Sequence, residues 1–205
     1  MVSRTAKIAV MVSGGGTNLQ ALIDAERKGI IKSGKISLVL SNKESAYALE
    51  RAKNAGIKTA VVIKKNCKGN ADFEREMMGI LDREGIDLIV LAGFMSILSE
   101  NFTNHYKDRI INVHPSLIPS FCGEGFYGLH VHEAALAYGV KVSGATVHFV
   151  NEIPDGGKII KQKAVAVAEG DTPEILQRRI MEEAEWIILP EATEEVCRKI
   201  INEKE

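Results

Sequence analysis

The chain reads as an α/β protein on a doubly wound mixed sheet, with a parallel N-terminal half and an antiparallel C-terminal pair of strands. Three observations predict this. Through the first half, short runs that are apolar on both faces alternate with amphipathic segments, the pattern of a parallel sheet covered by helices on both sides. The first apolar run ends in Ser13-Gly14-Gly15-Gly16-Thr17-Asn18, a glycine cluster placed as a strand-to-helix turn. In the second half, two strand-like runs are separated only by Glu152-Ile153-Pro154-Asp155-Gly156-Gly157, a connection short enough to require antiparallel pairing.

Each element follows from its local pattern. Residues 7–13 (KIAVMVS) form a buried strand. Residues 18–28 carry Leu19, Leu22 and Ile23 at helical spacing, and residues 36–41 are the second strand. A second helix is expected over 46–55, capped by Ser45 and stopped by Gly56. Residues 59–63 are a third strand. The segment 71–84 places Phe73, Met77, Ile80 and Leu81 on one helical face, with Gly85 as a stop. Residues 87–92 (DLIVLA) and 109–114 are further strands, the second running into His114-Pro115-Ser116. A helix is expected over 128–138, and the antiparallel strands over 142–150 and 158–167. Thr172 caps and Pro173 opens a long last helix, whose buried face should carry Leu176, Ile180, Ala184, Ile187 and Ile188. Pro190 should kink or break it, with helix resuming over 192–201. No repeat or linker interrupts the pattern, so a single domain over 1–205 is expected.

Composition excludes several classes. Of 205 residues, 26 are Lys or Arg and 27 Asp or Glu, a net charge of −1. There is no basic excess of the kind that nucleic acid or an acidic membrane surface selects. The three cysteines, Cys67, Cys122 and Cys197, form no CxxC pair. Neither a disulfide framework nor a cysteine zinc site is expected, and reduced thiols suit a cytoplasmic protein. The apolar run at 8–12 is too brief for a membrane span, and no signal peptide is expected.

Two groups of residues carry chemistry. The loop Gly14-Gly15-Gly16-Thr17-Asn18 lets backbone N–H groups approach an anion, and the helix that follows adds free donors and a favourable dipole. It is neither GxGxxG, since Leu19 breaks that spacing, nor a lysine-bearing nucleotide loop. A tight turn with no ligand would use the same glycines. In Asn112-Val113-His114 the strand period puts the amide and the imidazole on one face. An amide donor beside an imidazole suits oxyanion stabilisation and proton transfer, as it also suits a strand-end hydrogen-bond pair. Asp155 would raise the basicity of His114 if the chain brings the two together, though a turn also favours Asp. His130 and His132 lack the companion ligands of a metal site, so no metal is expected. His148 reads as a core histidine and His105 as a surface one.

Four segments in order identify a resemblance: Ser13-Gly14-Gly15-Gly16-Thr17-Asn18-Leu19-Gln20, Leu91-Ala92-Gly93-Phe94-Met95, Asn112-Val113-His114-Pro115-Ser116-Leu117-Ile118-Pro119, and Asp155-Gly156-Gly157. Together they resemble the folate-dependent glycinamide ribonucleotide formyltransferases over essentially the whole chain, which implies a Rossmann-like, formyltransferase-type fold. The first segment is the most specific, because the others occur in other formyl-transfer enzymes. The resemblance implies catalysis by Asn112, His114 and Asp155, with 10-formyltetrahydrofolate as formyl donor and the amine of glycinamide ribonucleotide as acceptor in purine synthesis. It implies that Gly15, Gly16, Thr17, Asn18, Glu182 and Glu185 meet the ribonucleotide. The folate would be met by Asn70, Met95, Ser96, Ile97 and Leu98, with Asn151, Glu152, Ile153 and Pro154 closing the pocket. The expected partners are these two small molecules, with no nucleic acid or membrane, and the protein would be a monomer or homodimer.

Two departures stand out. A member of the family has an arginine, serving the folate side, where this chain has Asn70. The segment 120–128 is longer than in the shortest relatives and glycine-rich, and is expected to border the folate site as a lid. Rival readings differ in acceptor or class. A formyltetrahydrofolate hydrolase would be expected to carry a preceding regulatory domain, and a methionyl-tRNA formyltransferase a basic RNA-binding one. A sugar-nucleotide formyltransferase gives no reason for the Gly15–Asn18 loop. A non-enzymatic phosphate-ligand sensor would bind without turnover. A nicotinamide oxidoreductase is disfavoured by the glycine spacing and by Ser41-Asn42 at the end of the second strand.

Overall fold

A computed structural model describes residues 4–203. Seven strands form one sheet: β1 (Ala6–Val12), β2 (Gly34–Ser41), β3 (Lys58–Val61), β4 (Leu88–Leu91), β5 (Ile110–His114), β6 (Val142–Phe149) and β7 (Ile159–Ala166). Their order is β3-β2-β1-β4-β5-β6-β7. The first five pair in parallel. β6 and β7 add on antiparallel, as the short 152–157 connection requires. The chain winds outward from β1 to β3, then returns to start again at β4, so the switch point lies between β1 and β4.

Strand alternation divides the interior into two layers. Ile8, Val10 and Val12 of β1, Leu88 and Val90 of β4, and Ile111 and Val113 of β5 face one layer. There they meet α1 (Thr17–Arg27), α2 (Tyr47–Asn54) and the C-terminal helices. Ala9, Met11, Ile89, Leu91 and Ile110 face the other, against α3 (Asn70–Glu84) and α4 (Glu100–His105). The two-residue period therefore sends Asn112 and His114 to the same side as Ile110.

Several elements differ from expectation. α2 begins after Ala46, which offers no side-chain cap, rather than after Ser45. α4 has no counterpart in the sequence reading. It is six residues long, too short to display an apolar period, and rests on its cap instead. The last helix is not broken at Pro190. It runs as α6 (Pro173–Ile180), a π turn (Met181–Glu185) and α7 (Trp186–Asn202), with Pro190 inside α7. Trp186 has ψ of −7°, well away from the helical value of about −42°, and this relaxes the turn that the proline ring must enter. The wider π winding also rotates the buried face. Ile188 and Leu189 are buried, whereas Ile187, expected inside, is 39% exposed.

Ser99 shows how the fold fixes a loop. Its hydroxyl accepts the Phe102 N–H to cap α4 and donates to the buried Glu74 carboxyl of α3. Its own N–H reaches Glu74 at 2.8 Å, and the Asn70 amide donates to the same oxygen at 3.0 Å. Segment 95–98 is thereby pinned where it enters α4. Glu74→Ala strips the acceptor from all three donors and should cost about 2–3 kcal/mol in urea unfolding, and Glu74→Gln, which keeps an acceptor oxygen, should cost less.

Candidate active site

The carboxyl ends of β1, β4 and β5 open onto a cavity of about 840 Å³, within the size range of small-molecule sites. Asn18, Met95–Ile97, Asn112, His114, Gly123–Gly128, His132, Asp155 and Glu185 all border it.

The β5–β6 register assembles the polar centre. Asn112 pairs across the ladder with His148, and His114 with Thr146. The Asn112 amide donates to His148 Nε2 at 3.3 Å, and His148 Nδ1 lies 2.7 Å from the Phe149 carbonyl. A carbonyl only accepts, so Nδ1 carries a hydrogen; Nε2 accepts from Asn112 in the neutral ring and meets Asp155 as a donor when it too is protonated. His148, read from sequence as a core histidine, is buried but belongs to this centre. Its signal was available: on β6 it alternates with the inward-facing Ala145 and Val147, so it faces away from that layer.

Asp155 closes the group. It sits in the 154–157 turn with φ of 56°, a left-handed conformation that Asp tolerates better than most residues. The following Gly157 packs against the Phe149 carbonyl so closely that an added Cβ would lie 1.7 Å from that oxygen. One Asp155 oxygen lies 3.5 Å from His148 Nε2, the other 3.4 Å from His114 Nδ1 and 2.9 Å from the donating Gly123 N–H. Burial would raise the Asp155 pKa, but His148, His114 and the Gly123 N–H outweigh it and hold the carboxyl below its ordinary value. His114 is shifted the other way. Burial lowers its pKa, and Asp155 and the Phe121 carbonyl only partly restore it. Its Nε2 donates to that carbonyl at 2.8 Å, so contact of Nδ1 with the carboxylate is attractive only in the doubly protonated ring.

On the other side of the cavity, α1 starts at Gly16, whose φ of 73° and lack of a capping side chain leave the first amides open. A Cβ at Gly16 would lie 2.6 Å from that of Ala48, so only glycine lets α2 approach. The Gly14 and Gly15 carbonyls are turned toward α2, accepting from the Ala48 N–H at 3.0 Å and the Arg51 Nε–H at 2.8 Å. This cradle suits a phosphate. Next to it the Asn18 amide donates to Glu185 Oε2 at 2.7 Å. Glu185 is 6% exposed, and burial pushes its pKa up to about 7 despite that hydrogen bond.

Not every expected residue reaches the cavity. Glu182 is exposed and paired with Arg178 at 2.8 Å, because the π turn spreads it further from Glu185 around the axis than α spacing would. Leu98 is buried in the α3–α4 layer. With Asn70 and Met95–Ile97 it borders a separate hollow of about 470 Å³. Asn151, Glu152 and Ile153 lie outside the cavity lining, because the Asn151 side chain accepts the Ile153 N–H to tighten the turn, and Pro154 alone of that group borders the cavity. Gly15 and Thr17 flank the cradle, Thr17 facing a smaller hollow along α1 with Arg51 and Trp186. Among the described residues, no group of His, Cys, Asp and Glu is arranged to hold a metal ion, and no helix is long and apolar enough to cross a membrane.

Glu185 gives a pH signature. Its folded pKa of about 7 lies above the ordinary 4.5, so the folded state binds more protons between those values and stability falls as pH rises through the window. Glu185→Gln, which mimics the protonated form, should flatten the fall and leave the variant about 2–3 kcal/mol more stable than wild type at pH 8, read from urea midpoints across the pH series.

Residues 6–193 match the family model described as formyl transferase. The chain is 44% identical over 184 residues to the phosphoribosylglycinamide formyltransferase of Haemophilus influenzae, covering 90% of this chain and 84% of that one. It is also 44% identical over 194 residues to the trifunctional purine biosynthetic protein adenosine-3 of Homo sapiens, covering 95% of this chain but 18% of that protein's length. The crystal structure of glycinamide ribonucleotide transformylase 1 from Symbiobacterium toebii superposes with a TM-score of 0.89 at 41% identity, covering 95% of this chain and 89% of the other. With a family match across nearly its full length and close relatives of the same size, the chain belongs to the formyl transferase family, among its phosphoribosylglycinamide formyltransferases.

Proposed function

We propose that the chain, acting as one domain over 1–205, transfers the formyl group of 10-formyltetrahydrofolate to the amine of glycinamide ribonucleotide. The product is formylglycinamide ribonucleotide, in de novo purine synthesis. The observation that carries the reading is that one cavity reaches from Asn18, at the start of α1 beside the phosphate cradle, to an amide–imidazole–carboxylate group at the end of β5. A phosphorylated amine held at the first would present its nitrogen to a formyl carbon held at the second. The resident protein is proposed to be cytoplasmic, consistent with three free thiols, and a monomer or homodimer.

In this reaction the amine lone pair attacks the formyl carbon, and the carbonyl electrons move onto oxygen. Asn112, with one N–H on His148, has its second N–H to offer that oxyanion, and protonated His114 supplies the second donor. Asp155 stabilises the imidazolium and takes up the proton that the amine sheds, through water. Collapse of the tetrahedral intermediate expels the folate nitrogen, which receives the proton that Asp155 took up, returned through the same water. The ribonucleotide is held by Gly15–Asn18 and Glu185. The pterin end of the folate lies against Met95–Ile97 and Pro154. Asn70 and Leu98 line the adjoining hollow through which the folate tail would pass. With no arginine at position 70, the tail carboxylates fall to Lys64, which borders the same hollow.

Two measurements test this. Spectrophotometric turnover of 10-formyltetrahydrofolate should require glycinamide ribonucleotide, and Asn112→Ala should lower kcat by about 10²–10³-fold with KM little changed. Donor consumption without the ribonucleotide would instead indicate hydrolysis. Segment 120–128 is proposed to act as a lid, its Phe121 and Gly123 already touching His114 and Asp155. Saturating donor and ribonucleotide should protect it from limited proteolysis, and unchanged cleavage would sink the lid.

A further inference from the structure

His132 is unlike any other polar residue near the cavity. It lies on α5 (Leu129–Tyr138), is fully buried, and borders the cavity. Yet neither ring nitrogen has a hydrogen-bond partner among the described residues. An imidazole so placed leaves one donor and one acceptor unsatisfied, which folded proteins rarely tolerate without a use for them. Another residue of the cavity lining holds such an atom, Asn18 Oδ1, at the start of α1 beside the cradle. Burial first, and the neighbouring His114 second, push the His132 pKa down to about 4, so the ring is neutral at physiological pH and presents one N–H and one bare nitrogen.

We propose that His132 is a positioning residue for the acceptor substrate, hydrogen-bonding the amide of the glycinamide arm. The inference rests on the activity proposed above. The wall that His132 shares is the ribonucleotide side. α5 packs on α6, and Gln177 and Met181, from α6 and the π turn, border the cavity with Glu185 and His132. The folate side, at Met95–Ile97 and Pro154, is built from other elements. Its electrostatic coupling to His114 places His132 toward the reacting end rather than the phosphate end. A carboxamide one carbon from the attacking amine offers one acceptor oxygen and N–H donors, the complement of a neutral imidazole. A cation at this position would instead repel a protonated His114, so neutrality is part of the fit. Holding the amide there aims the amine at the formyl carbon.

The proposal separates from a structural role because the two predict opposite outcomes for one variant. His132→Leu removes two unpartnered polar atoms from an apolar setting, so the thermal midpoint without ligands should stay level or rise. The KM for glycinamide ribonucleotide should rise tenfold or more, while that for 10-formyltetrahydrofolate stays within twofold. Calorimetric affinity for ribose 5-phosphate, which lacks the arm, should also stay within twofold. A histidine needed only for packing would give a lower midpoint with unchanged KM, and that result overturns the proposal, as does an equal rise in the donor's KM. If the leucine variant does not fold, His132→Asn and His132→Gln carry the test. They set a carboxamide at different reach, so they should differ in ribonucleotide affinity by fivefold or more, and equal wild-type affinities refute the idea. Wild-type protein that binds no ribonucleotide at all would defeat the activity reading itself. Wild type that binds, alongside a leucine variant that binds equally, would defeat only His132.

Discussion

The site depends on keeping the Asp155 carboxylate ionised in a place where burial opposes it. Desolvation alone would drive a carboxyl here toward its neutral form. The offset needs three partners from three parts of the chain: His148 of β6, His114 of β5 and the Gly123 N–H of the 120–128 loop. Each partner presupposes a feature of the fold. The β5–β6 register sets the two histidines in place, two residue pairs apart on the ladder and so on one face. The 154–157 turn, with Gly157 against the Phe149 carbonyl, aims the carboxylate between them. Removing one partner from such an arrangement leaves a buried charge undercompensated, which costs more than the lost contact alone.

Glu185, across the same cavity, shows the converse. It is also buried, but among the described residues Asn18 is the one side chain hydrogen-bonded to it, and desolvation prevails. Two carboxyls bordering one cavity are thus shifted in opposite directions by the number of donors each receives. The one held below its ordinary value lies beside the imidazole that must accept charge. The one raised to about 7 lies beside the uncapped end of α1, where the protonated form avoids repelling a bound phosphate. The division of roles between the two ends of the cavity follows from hydrogen-bond counting.

Much of this was legible before any coordinates. The alternation of apolar and amphipathic segments, with right-handed crossovers, gives the doubly wound parallel half, and the 152–157 connection forces the antiparallel end. Asn112, His114, Asp155 and the Gly14–Asn18 loop each had an ordinary structural use as well, and it was the family resemblance that singled them out together. What escaped depends on long-range or subtle geometry. α4 is stabilised by Glu74 from another helix, and six residues contain too little period to reveal it. The π turn at 181–185 has no composition of its own, and a single change of winding moved Ile187 outward and Glu182 away from Glu185. His148 and His132 are buried histidines like any other in sequence. Only the register of β6 and the docking of α5 show that one meets Asp155 and the other faces the cavity.

The contact between His114 Nε2 and the Phe121 carbonyl bears on how the site would change during the proposed reaction. Phe121 has φ of 49°, a conformation that non-glycine residues adopt at a cost. Its carbonyl is the same kind of acceptor as a formyl oxygen. If the substrate replaces it, the imidazole exchanges one carbonyl acceptor for another, nearly without net change, while the 121 backbone is freed from an unfavourable dihedral. As the formyl oxygen then becomes an oxyanion, charge develops on the acceptor side as well and the bond strengthens. The gain therefore appears in the transition state rather than on binding, which is where an interaction must grow in order to raise kcat. A loop carbonyl that satisfies the imidazole in the free protein, and yields to the substrate, avoids leaving a buried donor unpaired at either stage.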